Sequence, residues 1–344
     1  MTPVVSIVVT NWNGRGWLDR CLGSLLGQTL KPIEIILVDN ASTDGSVDFV
    51  QKAFPMVRIV RLPENRGHAG PVNDGFRAAN PQSRFLAKFD NDARAEPDWL
   101  EKIVRALGDD ERIGSAACLT LDYHDSTLIY SMGDAFLKNG NCFNIGRGMV
   151  HRPELPSAKW VFGPSGCTAV YRRSALDRVG FLDEDFWAYH EDVDLSFRLQ
   201  LAGYKCLYVP EAVGYHVGSA TGRKFGDRTA FVSGRNRWFV LYKNLPSSLW
   251  LRFAWPLAWR QTQVVWWALK GDAESRVRCR GALSSLCYLP RELRKRWAIQ
   301  RSRRLSAREL ASMYQEHERL RDQLKAIADQ DKAIERRNDG QAAS

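Results

Sequence analysis

Paired cysteines are missing from this chain. Its seven cysteines, at 21, 118, 142, 167, 206, 279 and 287, are scattered, odd in number and contain no Cys-x-x-Cys. That argues against a zinc site or a disulfide framework and suits a reducing compartment. No basic-then-apolar segment opens the sequence, where Met1-Thr2-Pro3 leads straight into a strand-like run; a cytoplasmic chain is expected. No Gly-x-Gly-x-x-Gly follows the first strand and there is no Walker lysine motif, so the usual dinucleotide and P-loop readings fail. Long apolar runs are absent too. The tryptophan-rich stretch from Leu249 to Lys270 is interrupted by Arg252, Arg260, Gln261 and Gln263, whereas a spanning helix needs about 20 apolar residues.

What is present is enough apolar material for a real core. The 344 residues are 44% hydrophobic and 11% aromatic, sufficient for one large α/β domain with an appendage or for two domains. The net charge of +10 is uneven: eleven basic residues lie between Lys270 and Arg304, opposed only by Asp272, Glu274 and Glu292. Such a run is a solvated face, or it meets nucleic acid or an anionic membrane, and charge alone does not choose.

The first hundred residues alternate strand and helix signals. Val4 to Thr10 is a β-branched run of the kind buried on both faces of a sheet. Trp17, Leu18, Cys21, Leu22, Leu25 and Leu26 then recur at helical spacing, and Ile33 to Val38 is a second strand ending at Asp39. Val57 to Leu62 and Arg84 to Phe89 are two further strands, and Trp99, Leu100, Ile103, Val104 and Leu107 mark a later helix. This alternation calls for a mostly parallel sheet flanked by helices. Ligands of such sheets sit at the carboxyl ends of the strands. Thr10, Asn11, Asp39, Asp90 and Asp92 all fall there, in three separate units.

Asp90 and Asp92 are one residue apart and would share a pleat face if the strand continued. Two hard oxygen ligands suit a Mg²⁺ or Mn²⁺ that also holds a diphosphate; a polar strand exit would read the same way. Residues 121–164 carry poor periodicity and read as hairpins or a loop over the site. Glu191, Asp192 and Asp194 occupy the first turn of a helix, where acids complement the dipole. A helix amino terminus beside a cleft also mounts a catalytic carboxylate. His216 falls in a Gly/Ser-flanked loop after a strand from Lys205 to Val209.

Taken together, Ser6-Ile7-Val8-Val9-Thr10-Asn11-Trp12-Asn13, Val38-Asp39-Asn40-Ala41-Ser42-Thr43-Asp44-Gly45-Ser46, Glu64-Asn65-Arg66-Gly67, Asn73-Asp74-Gly75, Asp90-Asn91-Asp92, Glu191-Asp192-Val193-Asp194-Leu195 and Tyr215-His216 have a specific order and spacing. They resemble the inverting family 2 glycosyltransferases of GT-A fold, in the bacterial rhamnosyltransferase-like branch, over residues 4–245. The resemblance implies a nucleotide-diphosphate-sugar donor, with Asp39, Thr10 and Trp12 at the base and ribose, Asn73 lining the donor pocket and Asp90 facing sugar or ribose. It implies Asp92 and His216 as ligands of Mg²⁺ or Mn²⁺, Asp192 as general base, and Glu191 and Asp194 in support at the acceptor side. The branch often carries Asn-Pro-Asp where this chain has Asp90-Asn91-Asp92; the extra carboxylate favours metal dependence and leaves open which oxygen binds the metal.

The expected organisation is a GT-A catalytic domain over 1–245, a Trp-rich basic membrane-associating segment over 246–304, an amphipathic helix over 305–338 and a disordered tail over 339–344. Trp250, Trp255, Trp259, Trp266 and Trp267 lie on a lipid interface or pack on the catalytic domain. The resemblance implies a hydroxyl acceptor on a cell-surface glycan or lipid carrier, the cytoplasmic face of the inner membrane as location, rhamnose as the first donor sugar to try, and no nucleic-acid partner. Ser306 to Glu309 forms a capping box, and Leu310, Met313, His317, Leu320, Leu324, Ile327 and Ile334 follow heptad spacing, a possible homodimer seam. The alternatives are a sugar nucleotidyltransferase, for which Asn11 to Gly16 makes a poor signature loop, and a basic nucleic-acid-binding scaffold.

Overall fold

The β-branched opening run becomes β1 (Val5–Asn11), with every residue but Thr10 buried. The structure is a computed structural model that describes residues 2–218 and 226–342, with side chains described through Asp331. From β1 the chain passes through α1 (Arg15–Leu26), β2 (Ile33–Asp39), α2 (Ser46–Ala53), β3 (Arg58–Arg61) and α3 (Ala69–Ala78) to β4 (Phe85–Asp90). Strands β4, β1, β2 and β3 lie side by side and parallel. In that register Thr10 stands opposite both Val38 and Asp90, and Asn11 opposite Asp39. The polar strand ends are therefore level, along one edge of the sheet.

Beyond β4 come β5 (Ala93–Ala95), α4 (Trp99–Leu107) and β6 (Ile113–Asp122). Trp99, Leu100, Ile103 and Leu107 of α4 are fully buried; each such side chain contributes about 1.5–3 kcal/mol through loss of apolar surface to water. Residues 121–164 form short pairings: β7 (Ile129–Ser131) on β6, a separate hairpin of β8 (Asp134–Phe136) with β9 (Cys142–Asn144), and β10 (Trp160–Val161) at the far edge. Then follow β11 (Thr168–Arg172), α5 (Arg173–Val179), a 3-10 turn at Glu184–Phe186, α6 (Glu191–Leu201) and β12 (Lys205–His216).

The sheet is mixed. β11 runs antiparallel to both its neighbours, β4 and β6, and β12 is parallel to β6. β12 also outlasts the expected strand, crossing a register shift between Val209 and Val213 and continuing to His216. His216 thus ends a strand and does not sit in a loop. It pairs with Ala93 of β5, which runs antiparallel to β12, and this pairing carries the imidazole to Asp92.

The carboxyl-terminal region is helical: α7 (Asp227–Asn244), α8 (Ser247–Arg252), α9 (Ala254–Leu269), α10 (Ala273–Ser284), α11 (Leu289–Arg301) and α12 (Ala307–Ala342). The expected boundaries at 245/246 and 304/305 fall between helices, yet one apolar cluster runs across them. Phe136, Phe162, Phe186 and Phe197 share it with Phe239, Leu249, Phe253, Leu257, Leu310 and Tyr314. Tyr314 lies 5.6 Å, centroid to centroid, from both Phe136 and Phe253.

The heptad stripe of α12 packs partly into this cluster and partly, through Leu320 and Leu324, into a second one with Leu119 and Ile129. Leu310, His317, Leu320 and Leu324 are buried within the chain. The His317 Nδ1 accepts from the Phe136 backbone N–H at 3.3 Å, and burial pushes its pKa down to about 4, so it packs as a neutral ring. These positions of the expected homodimer seam pack inside the chain, while Met313 and Ile327 are only partly buried. The Ile334 side chain lies outside the described residues. The helix runs through Ala342, and residues 343–344 of the tail expected over 339–344 also lie outside them.

Candidate active site

A cavity of about 380 Å³ opens over the level strand ends. Thr10 and Trp12 lie on its wall, with Asn40 and Asn65 beside them. Asp39 is buried and does not line it; its carboxylate accepts from Asn11 Nδ2 at 3.1 Å and from the Ser42 backbone N–H at 3.0 Å. It fixes the loop that carries the wall. Asn73, expected to line the donor pocket, faces elsewhere. Its amide donates to the Leu182 carbonyl at 2.9 Å and to Glu184 at 3.0 Å and accepts from Leu182 N–H at 3.0 Å. A buried amide with both N–H donors spent this way braces the 182–184 turn.

Asp90, Asp92 and His216 converge at the cavity's base. One ligand atom from each lies within 4.8 Å of the others. His216 Nε2 is 3.0 Å from Asp92 Oδ1 and 3.6 Å from Asp90 Oδ2. Lys88 donates to the other Asp90 oxygen, Oδ1, at 3.1 Å, which leaves Oδ2 turned towards the imidazole. Two carboxylate oxygens and one imidazole nitrogen suit Mn²⁺ or Mg²⁺. Asp90 therefore belongs with Asp92 and His216, and a role confined to sugar or ribose is too narrow for it.

Opposite stands the first turn of α6. The chain reaches it through Trp187, Tyr189 and His190, all with positive φ (63°, 66° and 68°), a conformation that costs non-glycine residues about 1–3 kcal/mol each. Asn236 of α7 holds the turn by donating from one amide nitrogen to the Phe186, Ala188 and Tyr189 carbonyls, each at 2.8 Å. Asp192 then faces the cavity, its Oδ1 accepting from the Val193 N–H at 2.8 Å. Gly166 crosses close by: a Cβ there would fall 2.5 Å from Asp192 Oδ2 and 3.4 Å from Lys88 Nζ. Only a glycine admits so near an approach.

Glu191 and Asp194 have separate fates. Glu191 lines the cavity, and burial, followed by the neighbouring Asp192 charge, pushes its pKa up to about 8 against the pull of Lys88. Asp194 is fully buried away from the cavity. It pairs with Arg198 at 2.9 Å and Lys243 at 2.9 Å and accepts from Asn244 at 2.8 Å. The expected acceptor-side support is thus a bolt between α6 and α7. Removing one partner of such a buried ion pair costs about 3–5 kcal/mol.

Other groups were not foreseen. Lys88 is buried in β4 on the face of Asp90, and Asp90, Glu191 and Asp192 hold its ammonium protonated although burial opposes it. A lone lysine two residues before an acid in an apolar strand was a readable signal. His68 lies 3.5 Å from Asp90 and 3.9 Å from Glu191, and burial with Lys88 lowers its pKa to about 4. Tyr130 and Arg147 reach the cavity from the short pairings, with the Tyr130 ring edge-on to His216 at 4.6 Å. No local pattern in 121–164 marks them.

Comparison with known proteins fits this geometry. The profile of Glycosyl transferase family 2 matches residues 6–180, just over half of the chain. The chain belongs to that family. The glycosyltransferase is 28% identical over 280 residues to the N-acetylglucosaminyl-diphospho-decaprenol L-rhamnosyltransferase of Mycobacterium tuberculosis, covering 75% of this chain and 89% of the relative. Within the family its similarity is to the rhamnosyltransferase-like branch. Among solved structures it resembles a mannosyltransferase from Pyrobaculum calidifontis in complex with GDP-Man and Mn²⁺, at TM-score 0.52 and 18% identity over 88% of this chain and 86% of the other. It also resembles S. aureus TarS 1-349, at TM-score 0.51 and 15% identity over 88% and 91% of the two chains. These likenesses show the GT-A fold. The enzyme is a glycosyltransferase, and the nucleotidyltransferase reading falls away.

Proposed function

We propose that this glycosyltransferase moves a sugar, rhamnose first among those to test, from a nucleotide-diphosphate donor to a hydroxyl of a lipid-linked or cell-surface glycan acceptor, with inversion at the anomeric carbon. The observation that carries the reading is one cavity with Asp192 on one wall and Asp90, Asp92 and His216 at its base. Asp192 accepts the proton of the acceptor hydroxyl as that oxygen attacks the anomeric carbon. The sugar–phosphate bond breaks in the same displacement, so no side chain is needed as nucleophile. Asp90, Asp92 and His216 would hold Mn²⁺ or Mg²⁺, which when bound offsets charge on the departing diphosphate. Lys88 keeps Asp90 ionised and oriented. Thr10 and Trp12 line the donor end.

The test is a transfer assay with a panel of nucleotide sugars, a lipid-diphosphate-linked acceptor sugar and Mn²⁺. The expected product carries the anomeric configuration opposite to that of its donor. A retained configuration would overturn the role of Asp192, and no transfer from any donor would overturn the reading as a whole.

A lipid-linked acceptor requires access to a membrane surface. Among the described residues no helix is long and apolar enough to cross one. Trp250 stacks on Tyr242, with ring centroids 6.3 Å apart. The other tryptophans are outside: Trp255 is 75% exposed, Trp259 55%, Trp266 57% and Trp267 59%. Exposed Arg252, Lys270, Arg276, Arg280 and Arg294 accompany them. Exposed aromatics flanked by cations match an anionic lipid interface, the peripheral cytoplasmic face of a membrane in this reading. The protein is expected to co-sediment with anionic vesicles at low salt, and the triple variant Trp255→Ala, Trp259→Ala, Trp266→Ala to bind about tenfold or more weakly. Equal recovery of parent and variant with the vesicles would refute the docking face.

A further inference from the structure

Behind His190, away from the metal-binding triad, lies a second cavity of about 520 Å³. His190 lines both cavities. The second is walled by Arg237 of α7, Arg260 of α9, Arg278 of α10 and Arg321 of α12, with Trp238 beside them, and none of its lining residues is acidic. Arg278 pairs with Glu274 at 2.6 Å and Arg321 with Asp322 at 2.7 Å. Arg237 and Arg260 have no carboxylate within 4.0 Å among the described residues. Arg237 Nε is buried with no hydrogen-bond partner, although the same guanidinium donates to the Asn139 carbonyl at 2.5 Å.

Such a cluster is unfavourable when empty of counter-charge. Burial, then the nearby Arg260, depresses Arg237 to about 10, and burial with Arg278 lowers Arg260. Partly desolvated like charges with free donors are relieved by a polyanion, and planar guanidinium forks fit phosphate oxygens.

The position of α9 says which polyanion. Its inward residues Leu257, Arg260, Gln261 and Val264 face the protein, and Arg260, Gln261 and Val264 line this cavity. Its outward stripe is Trp255, Trp259 and Trp266. One helix thus divides an arginine-lined pocket from an apolar outer surface. We propose that this pocket binds the diphosphate of a lipid-linked acceptor, with the lipid leaving along α9 and the acceptor sugar reaching past His190 towards Asp192. The proposal rests on the transferase reading above and names the acceptor-side half of the same site. It makes Arg237 and Arg260 binding residues for the acceptor and assigns them no part in donor binding.

The experiment uses the full chain and farnesyl diphosphate, a short lipid diphosphate, in equilibrium binding without donor. Saturable binding is expected, weakened at least tenfold in Arg260→Ala and in Arg237→Ala and largely retained in Arg260→Lys. Gln261→Glu, on the exposed helix α9, places a carboxylate at the wall and should weaken binding similarly with no cavity created in the core. Stabilisation by nucleoside diphosphate with Mn²⁺ should be unchanged in all four. Failure of the parent to bind farnesyl diphosphate would overturn the proposal, as would equal binding by the variants or full displacement by a nucleoside diphosphate. Farnesol binding as tightly would reduce the site to an apolar one. Inorganic pyrophosphate binding as tightly, with the same arginine dependence, would make it a site for the free anion. Both overturn the lipid-diphosphate assignment. Loss of donor stabilisation in the parent would instead count against the transferase reading, so the two failures are separable.

Discussion

Asp192→Asn is expected to lower sugar transfer by about a thousandfold while donor binding survives, within the 10²–10⁴ range that a positioned general base contributes. The substitution is nearly isosteric. The asparagine carbonyl can still accept from the Val193 N–H that now bonds Oδ1, so the turn is preserved and only the capacity to take a proton is lost. The comparison to make is kcat against donor affinity in parent and variant. A fall in kcat with unchanged affinity supports the base; normal turnover by the variant refutes it.

Asp92→Ala and His216→Ala are each expected to abolish the metal-dependent part of donor binding, with Asp90→Ala close behind. In the parent, a nucleoside diphosphate at 100 times its dissociation constant should stabilise the fold by about 2.7 kcal/mol, because it binds only the native state. That gain should require Mn²⁺ or Mg²⁺ and disappear with chelator. In the variants it should be missing whether or not metal is added. His216 is the informative position, since it reaches the site from the far end of β12 and touches Asp92 only through folding. If His216→Ala and Asp92→Ala kept the full metal-dependent stabilisation, the ion would bind elsewhere.

Legibility in the sequence followed the range of the forces involved. Thr10, Asp39, Asp90 and Asp92 could be read because a polar residue ending an apolar run is a local pattern, and the parallel register then levels such ends. Asp192 could be read as a first-turn acid. Asp194, two residues on, carried the same signal and has a different role, because Lys243 arrives from α7 far along the chain. β12 looked finished at Val209 because Pro210 and Glu211 break the alternation, yet a register shift lets pairing resume at Val213. The α12 stripe announced that something would cover it without saying what; the cover is the chain's own Phe136, Leu119, Ile129 and their neighbours. Asn73 was misplaced for the opposite reason. Its motif is conspicuous, and its amide is occupied by a turn brought in from Leu182. The four arginines of the second cavity come from four helices, and no window of sequence contains them together.

Recognition and folding have different limits in this protein. The family profile ends at residue 180, but the aromatic cluster beneath the short pairings closes only with Leu310 and Tyr314 of the last helix. A shortened enzyme cut where the recognisable part stops would bare Phe136 and Phe162 to water and lose Asp192 and His216 together with Asn236, which pins the turn before Asp192. The modular unit for grafting, swapping or minimising this enzyme is therefore the catalytic sheet together with its helical tail.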